Sequence, residues 1–159
     1  MTDVVRNVSQ AGKPEKDALQ FDTSASADKG GKLVTISGKS NSAKLTFSFG
    51  SGTLTDITLP AQYTANSINT NNGATITGDP GATAEYNFSI AITVPANPEI
   101  TEKTRQIIVT DEGGNTAICT LRSAAGDAYV TVQEGTIELD YYGTAVSWSV
   151  ESNTSWTIS

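Results

Sequence analysis

Four sets of residues have the types that chemistry uses. They are the lone Cys119, the adjacent carboxylates Asp111 and Glu112, Asp79 between Gly78 and Gly81, and the aromatic group Tyr141, Tyr142, Trp148 and Trp156. The chain has no histidine, which removes the commonest general base and transition-metal ligand. Cys119 therefore has no imidazole to take its proton. It alternates with Ala117 and Leu121, so it reads as a small buried apolar residue and not as a nucleophile. Asp111 and Glu112 lead into Gly113-Gly114 and read as a solvated turn. A glycosidase needs two carboxylates facing each other across a cleft. Asp79 lacks the repeated acidic spacing of a calcium loop, and no glycine-rich loop matches a phosphate cradle. These residues predict a protein that is not an enzyme and needs no cofactor or metal.

Aromatic rings also serve recognition, because a flat ring stacks on the apolar face of a sugar. Tyr141 and Tyr142 are neighbours, and in a strand neighbours point to opposite faces. One of the two is expected to be exposed, which makes the pair the candidate glycan contact. Trp148 shares parity with Val146 and Val150, and Trp156 with Ile158. Both tryptophans are expected in a core.

The elements that must position these groups are strands. Only 17% of the 159 residues are charged, and short β-branched runs are punctuated by Gly, Asn and Asp. Leu19 and Phe21 alternate with polar neighbours in 18–22. Val34 and Ile36 do so in 32–38, and Leu45, Phe47 and Phe49 after the turn Gly38 to Asn41. Tyr86, Phe88, Ile90, Ile92 and Val94 share one parity of a long strand over 84–94. Residues 103–110 and 115–122 flank Asp111-Glu112-Gly113-Gly114 and predict a β-hairpin. The stretch 50–82 is less regular. It offers a short strand at Leu54, Ile57 and Leu59, a polar loop over 66–73 (NSINTNNG) and a brief strand over 74–77. We read it as an elaboration of the kind that carries contacts. Some seven or more short strands describe an all-β, immunoglobulin-like sandwich.

The net charge is −7 with no basic stripe, which argues against nucleic acid. There is no transmembrane run. The opening MTDVVRNVSQAGKPEKDALQF has no apolar h-region, which predicts synthesis without a secretory signal peptide. Residues 1–17 read as a flexible arm whose Val4, Val5, Arg6 and Val8 are candidate docking handles for a partner surface.

The segment from Gly143, GTAVSWSVESNTSWTIS, repeats the segment from Gly31, GKLVTISGKSNSAKLTFS. Val146 falls on Val34, Trp148 on Ile36, and Ser152-Asn153 on Ser40-Asn41 at one offset. Trp156 meets Leu45 after a slip of one residue. Residues 136–140 are read as the counterpart of 18–22. The expected organisation is an arm over 1–17, a first sandwich over 18–126, and the opening strands of a second copy over 127–159.

Three stretches carry a family resemblance: Ser152 to Ser159 (SNTSWTIS), the hairpin Arg105 to Leu121 (RQIIVTDEGGNTAICTL), and the junction Ala124 to Val132 (AAGDAYVTV). Together they resemble BACON domains. The resemblance implies tandem immunoglobulin-like sandwich modules of surface proteins from gut Bacteroidetes and their phages, which bind carbohydrate or mucin or act as spacers. The chain departs from that pattern in having Lys44-Leu45 where a Trp is expected and in the length of 50–82.

Two functions are expected from this. The first is a non-enzymatic virion surface protein of a Bacteroidetes phage, a head fibre or capsid-decorating protein. Its arm docks on the shell, its partners are other protein subunits in a homo-oligomer, and its outer repeats reach mucin glycans. The alternative is a carbohydrate-binding or mucin-binding module of a secreted or cell-surface Bacteroidetes protein. An adhesin subunit that donates a strand to its partner's sheet is a third possibility.

Overall fold

The computed structural model describes residues 18–136 and 138–159. The docking handles Val4, Val5, Arg6 and Val8 lie outside the described residues. An extended chain with apolar side chains at every second position can bury only one face, so its sheets must meet face to face. The strands are β1 (Leu19–Phe21), β2 (Ser24–Ala27), β3 (Lys32–Ser40), β4 (Leu45–Gly52), β5 (Gln62–Ala65), β6 (Ile68–Asn71), β7 (Tyr86–Val94), β8 (Lys103–Asp111), β9 (Thr116–Ser123), β10 (Val130–Val132) and β11 (Val150–Ser152). One sheet runs β1-β3-β7-β5-β6 and the other β2-β9-β8-β4, while β10 and β11 pair only with each other. The fold is all-β and sandwich-like.

The two sheets share one core. The first contributes Val34, Ile36, Phe88, Ile90 and Ile92, and the second Leu45, Phe47, Ile107, Val109, Cys119 and Leu121. Each large apolar side chain removed from water there contributes roughly 1.5–3 kcal/mol. β3 and β7 are antiparallel in unbroken register from Lys32 opposite Val94 to Ser40 opposite Tyr86. The expected hairpin forms as β8 and β9.

Strand β2 has no counterpart in the sequence reading. Its Ser-Ala-Ser-Ala run has no large apolar residue, yet it lies parallel to β9 and buries Ala27. The chain changes sheets just before it. Asp22 N donates to Ser37 O, while Thr23 O accepts from Thr120 N. The Asp22 carboxylate stands in for a backbone carbonyl by accepting from Ser37 N at 2.8 Å.

The stretch 50–82 differs from expectation in three places. Leu54 and Ile57 are buried, but three residues apart they do not fit a period of two, and no strand forms there. The expected polar loop 66–73 instead supplies the turn and second strand of a hairpin, in which β6 pairs with the preceding β5. Its turn residues Asn66 and Ser67 have φ of 48° and 66°, the handedness that matches strand twist. The expected strand at 74–77 reduces to one bridge, Thr75 with Lys44. The segment's role is to close an edge. Phe47 N donates to Asn72 Oδ1 at 2.7 Å, Asn72 Nδ2 donates to Phe47 O at 3.0 Å, and Gly73 N donates to Leu45 O. The carboxamide of Asn72 thus takes the place of a neighbouring strand beside β4.

Residues 127–159 repeat local geometry as well as letters. β1 pairs with β3 as Leu19 with Ser40, Gln20 with Lys39 and Phe21 with Gly38. β10 pairs with β11 as Val130 with Ser152, Thr131 with Glu151 and Val132 with Val150. Ser42 N donates to Ser40 Oγ at 3.0 Å, and Thr154 N to Ser152 Oγ at 3.0 Å. Gly31 N donates to Asp28 O and Gly143 N to Asp140 O, with both glycines at positive φ, 74° and 73°. By pairing, the counterpart of β1 is therefore β10 and not residues 136–140. At the offset of the repeat, 136–139 falls on β2.

Candidate functional site

Three places on the described surface have the makings of a contact site. The first is a concavity of about 530 Å³ on the outer face of the five-stranded sheet. In the β ladder, the residue partners Gln20, Lys39 and Asn87 form one cross-strand row, and Ser37, Ser89 and Thr64 the next. These side chains alternate with the core residues of β3 and β7 and so point away from the core. The floor therefore offers hydroxyls, amides and one ammonium, and the Asp22 carboxylate lines the same concavity. That set can hydrogen-bond a polyol or a polar peptide.

The second is the aromatic pair. The strand expected for Tyr141 and Tyr142 is a turn, and both rings are exposed, at 98% and 90%. They meet edge to face with centroids 5.8 Å apart. The expectation that one ring would turn inward fails because Asp140 organises the turn. Its carboxylate accepts from Tyr142 N and Thr144 N and from the Thr144 hydroxyl. These bonds, the Thr144 hydroxyl first, hold the Asp140 carboxyl below its usual pKa. The pair is an accessible aromatic ridge, with no enclosing wall.

Trp148 and Trp156, expected in a core, are each 46% exposed. In the first unit the lid over Val34 and Ile36 comes from β4, β8 and β9. Among the described residues β10 and β11 pair only with each other, and no sheet faces the alternation of Val146, Trp148 and Val150.

The third place is the junction. Asn153 Nδ2 donates to Asp127 O at 2.8 Å and to Pro98 O at 3.3 Å, while its Oδ1 accepts from Tyr129 N at 3.0 Å. Lys29 is paired with the Asp127 carboxylate. None of these residues stood out as a site in the sequence. The one available signal was that the repeat sets Asn153 on Asn41.

The remaining chemistry-bearing residues are structural. Asp111 accepts from Asn115 N at 2.8 Å and from Asn115 Nδ2 at 2.9 Å, which ties the β8–β9 turn. Glu112 N donates to Ser42 Oγ. The two carboxylates thus belong to one turn and do not oppose each other. Asp79 precedes a 3₁₀ turn over Pro80–Ala82 at φ 38°, and its carbonyl accepts from Ala82 N. Among the described residues no three His, Cys, Asp or Glu side chains converge to hold a metal ion. The Cys119 thiol is fully buried, and burial pushes its pKa up to about 11. Among the described residues no helix is long and apolar enough to cross a membrane.

No protein-family model matches the chain, and no curated protein matches it.

Proposed function

We propose that the protein is a non-enzymatic adhesive and structural element, a tandem immunoglobulin-like surface protein of a Bacteroidetes phage virion. In this reading it is a head fibre or capsid-decorating protein that attaches to the capsid, to mucin glycans, or to both. The observation that carries the proposal is the repeat. The β1–β3 pairing, the Asp28 turn and the Ser40 bond recur at β10–β11, Asp140 and Ser152. A chain that reiterates one sandwich builds length and valency, and many weak contacts acting together give firm attachment. Two features support the immunoglobulin-like reading. The strand orders β1-β3-β7-β5 and β2-β9-β8-β4 follow the ABED and GFC order of that class. The split of its first strand between sheets is matched by β1 and β2.

The outer groove and the Tyr141–Tyr142 ridge favour the second reading, a carbohydrate-binding or mucin-binding module of a Bacteroidetes surface or secreted protein. Both features offer the groups that bind sugars, and neither needs a virion. One experiment separates the readings. Gold-labelled antibody to residues 18–126 is applied to purified phage particles and to intact host cells. Regular decoration of heads supports the virion reading, and label confined to uninfected cells overturns it. A mucin-glycan array with the full chain and with Tyr141→Ala/Tyr142→Ala then tests the ridge. Loss of signal in the double variant supports glycan contact, and equal signal removes the pair from consideration.

A further inference from the structure

We propose that the end of the first unit, formed by the turn Asp28–Gly31 and the loop 96–101, is a socket for the head of the following unit. The socket holds the two as one rod. The proposal rests on reading 127–159 as the start of a second unit, and not on where the protein acts. By composition the connection 123–128, Ser-Ala-Ala-Gly-Asp-Ala, is a flexible small-residue linker. In the fold it is bonded along its length. Asn97, 4% exposed, donates from Nδ2 to Ala124 O at 3.1 Å and to Thr101 O at 2.9 Å. Its backbone N–H donates to Lys29 O, and its Oδ1 accepts from Glu99 N.

Gly126 N donates to Glu99 O at 2.7 Å. A Cβ at 126 would stand 2.6 Å from Asn97 O, so the close approach requires glycine. Asp127 is paired with Lys29. From the other side, Asn153 bridges Asp127 O and Pro98 O, and Ser152 Oγ donates to Tyr129 O at 2.9 Å. Among the described residues, it is the Asn153 side chain that bonds the first unit, the connection and the second unit together. A main chain whose polar groups are paired at successive points in this way does not swing freely.

The test is ¹⁵N relaxation on the full chain. The reporters are the β7 amides for the first unit and Gln133 N, which donates to Ser149 O, for the second. In the unsubstituted chain both give one rotational correlation time. In Asn153→Asp, Oδ1 still accepts from Tyr129 N but both donated bonds are lost. The correlation time at Gln133 then falls at least about twofold, the mark of a tethered segment tumbling by itself. A protected Gln133 amide that tumbles independently in the unsubstituted chain overturns the socket and leaves the repeat standing. An unprotected Gln133 amide overturns the second unit and the socket together. An unchanged correlation time in Asn153→Asp overturns the part given to Asn153, and Lys29→Ala, read the same way, tests the second tie.

Discussion

Gly38 and Phe88 face each other across β3 and β7, and the Phe88 ring occupies the space a side chain at 38 would need. Phe21 lies on the other side of Gly38, and the Phe21 and Phe88 rings stack with centroids 5.8 Å apart. A Cβ at 38 would meet the Gln20 carbonyl oxygen and Phe88 Cζ first and would stand 2.8 Å from Phe88 Cε1, inside contact distance. The repeat solves the same problem with other residues. Val150 replaces Gly38, and its β10 partner is Val132 in place of Phe21. Large beside none becomes medium beside medium.

Gly38→Ala should therefore destabilise the first sandwich by about 3 kcal/mol, the upper range for overpacking a filled core. Equilibrium urea unfolding, followed by fluorescence and by circular dichroism, measures it. A change below about 1 kcal/mol would mean that the rings move aside freely.

Asn72→Ala removes two hydrogen bonds that mimic a strand beside β4. Two partly buried main-chain groups of Phe47 lose their partners, at about 1–3 kcal/mol in all. The exposed edge also becomes a template for another chain. Size-exclusion chromatography should show stronger concentration-dependent association in the variant than in the parent. Asn72→Asp, which keeps the acceptor for Phe47 N, should lie between them.

The Cys119 thiol should resist disulfide-forming labels in the native state and react only after unfolding. Burial raises its pKa from an ordinary 9.0 to about 11 when folded, so the folded form holds the proton more tightly. That stabilisation is complete below pH 9 and is lost as pH rises towards 11, by on the order of 2 kcal/mol. Tyr86 and Tyr63, both raised chiefly by burial, add loss of the same sign above pH 10. Urea midpoints from pH 8 to 10.5 should fall for the parent and fall less steeply for Cys119→Ala.

A fragment of residues 1–126 should unfold cooperatively, with a urea midpoint close to that of the full chain. The core lies wholly within 18–126. The truncation removes the Lys29–Asp127 pair, which is solvent-exposed and of the class worth about 0–1 kcal/mol, and the exposed Asn153–Pro98 bond. A broad, non-cooperative transition would show that residues 127–159 complete the sandwich.

The long strands are legible in the sequence alone. In β3, β7, β8 and β9 a period of two in large apolar residues is enforced by burial of one face, and any slip would turn that face to water. The repeat was legible for the same reason, since equal folds need equal inward positions. The tertiary structure alone decided where these signals are silent or shared. Ser24–Ala27 became β2 because β9 offered a free edge and Ala27 a small space. Asn72 became an edge cap because the β5–β6 hairpin delivers its amide to Phe47. Trp148 and Tyr141 lie exposed, because inward parity is a relation between a strand and the sheet that covers it. The candidate site followed the same rule. Asn153 is one more turn residue until the fold sets its amide between Pro98 and Asp127, since a hydrogen bond between distant residues depends on a meeting that local sequence does not encode.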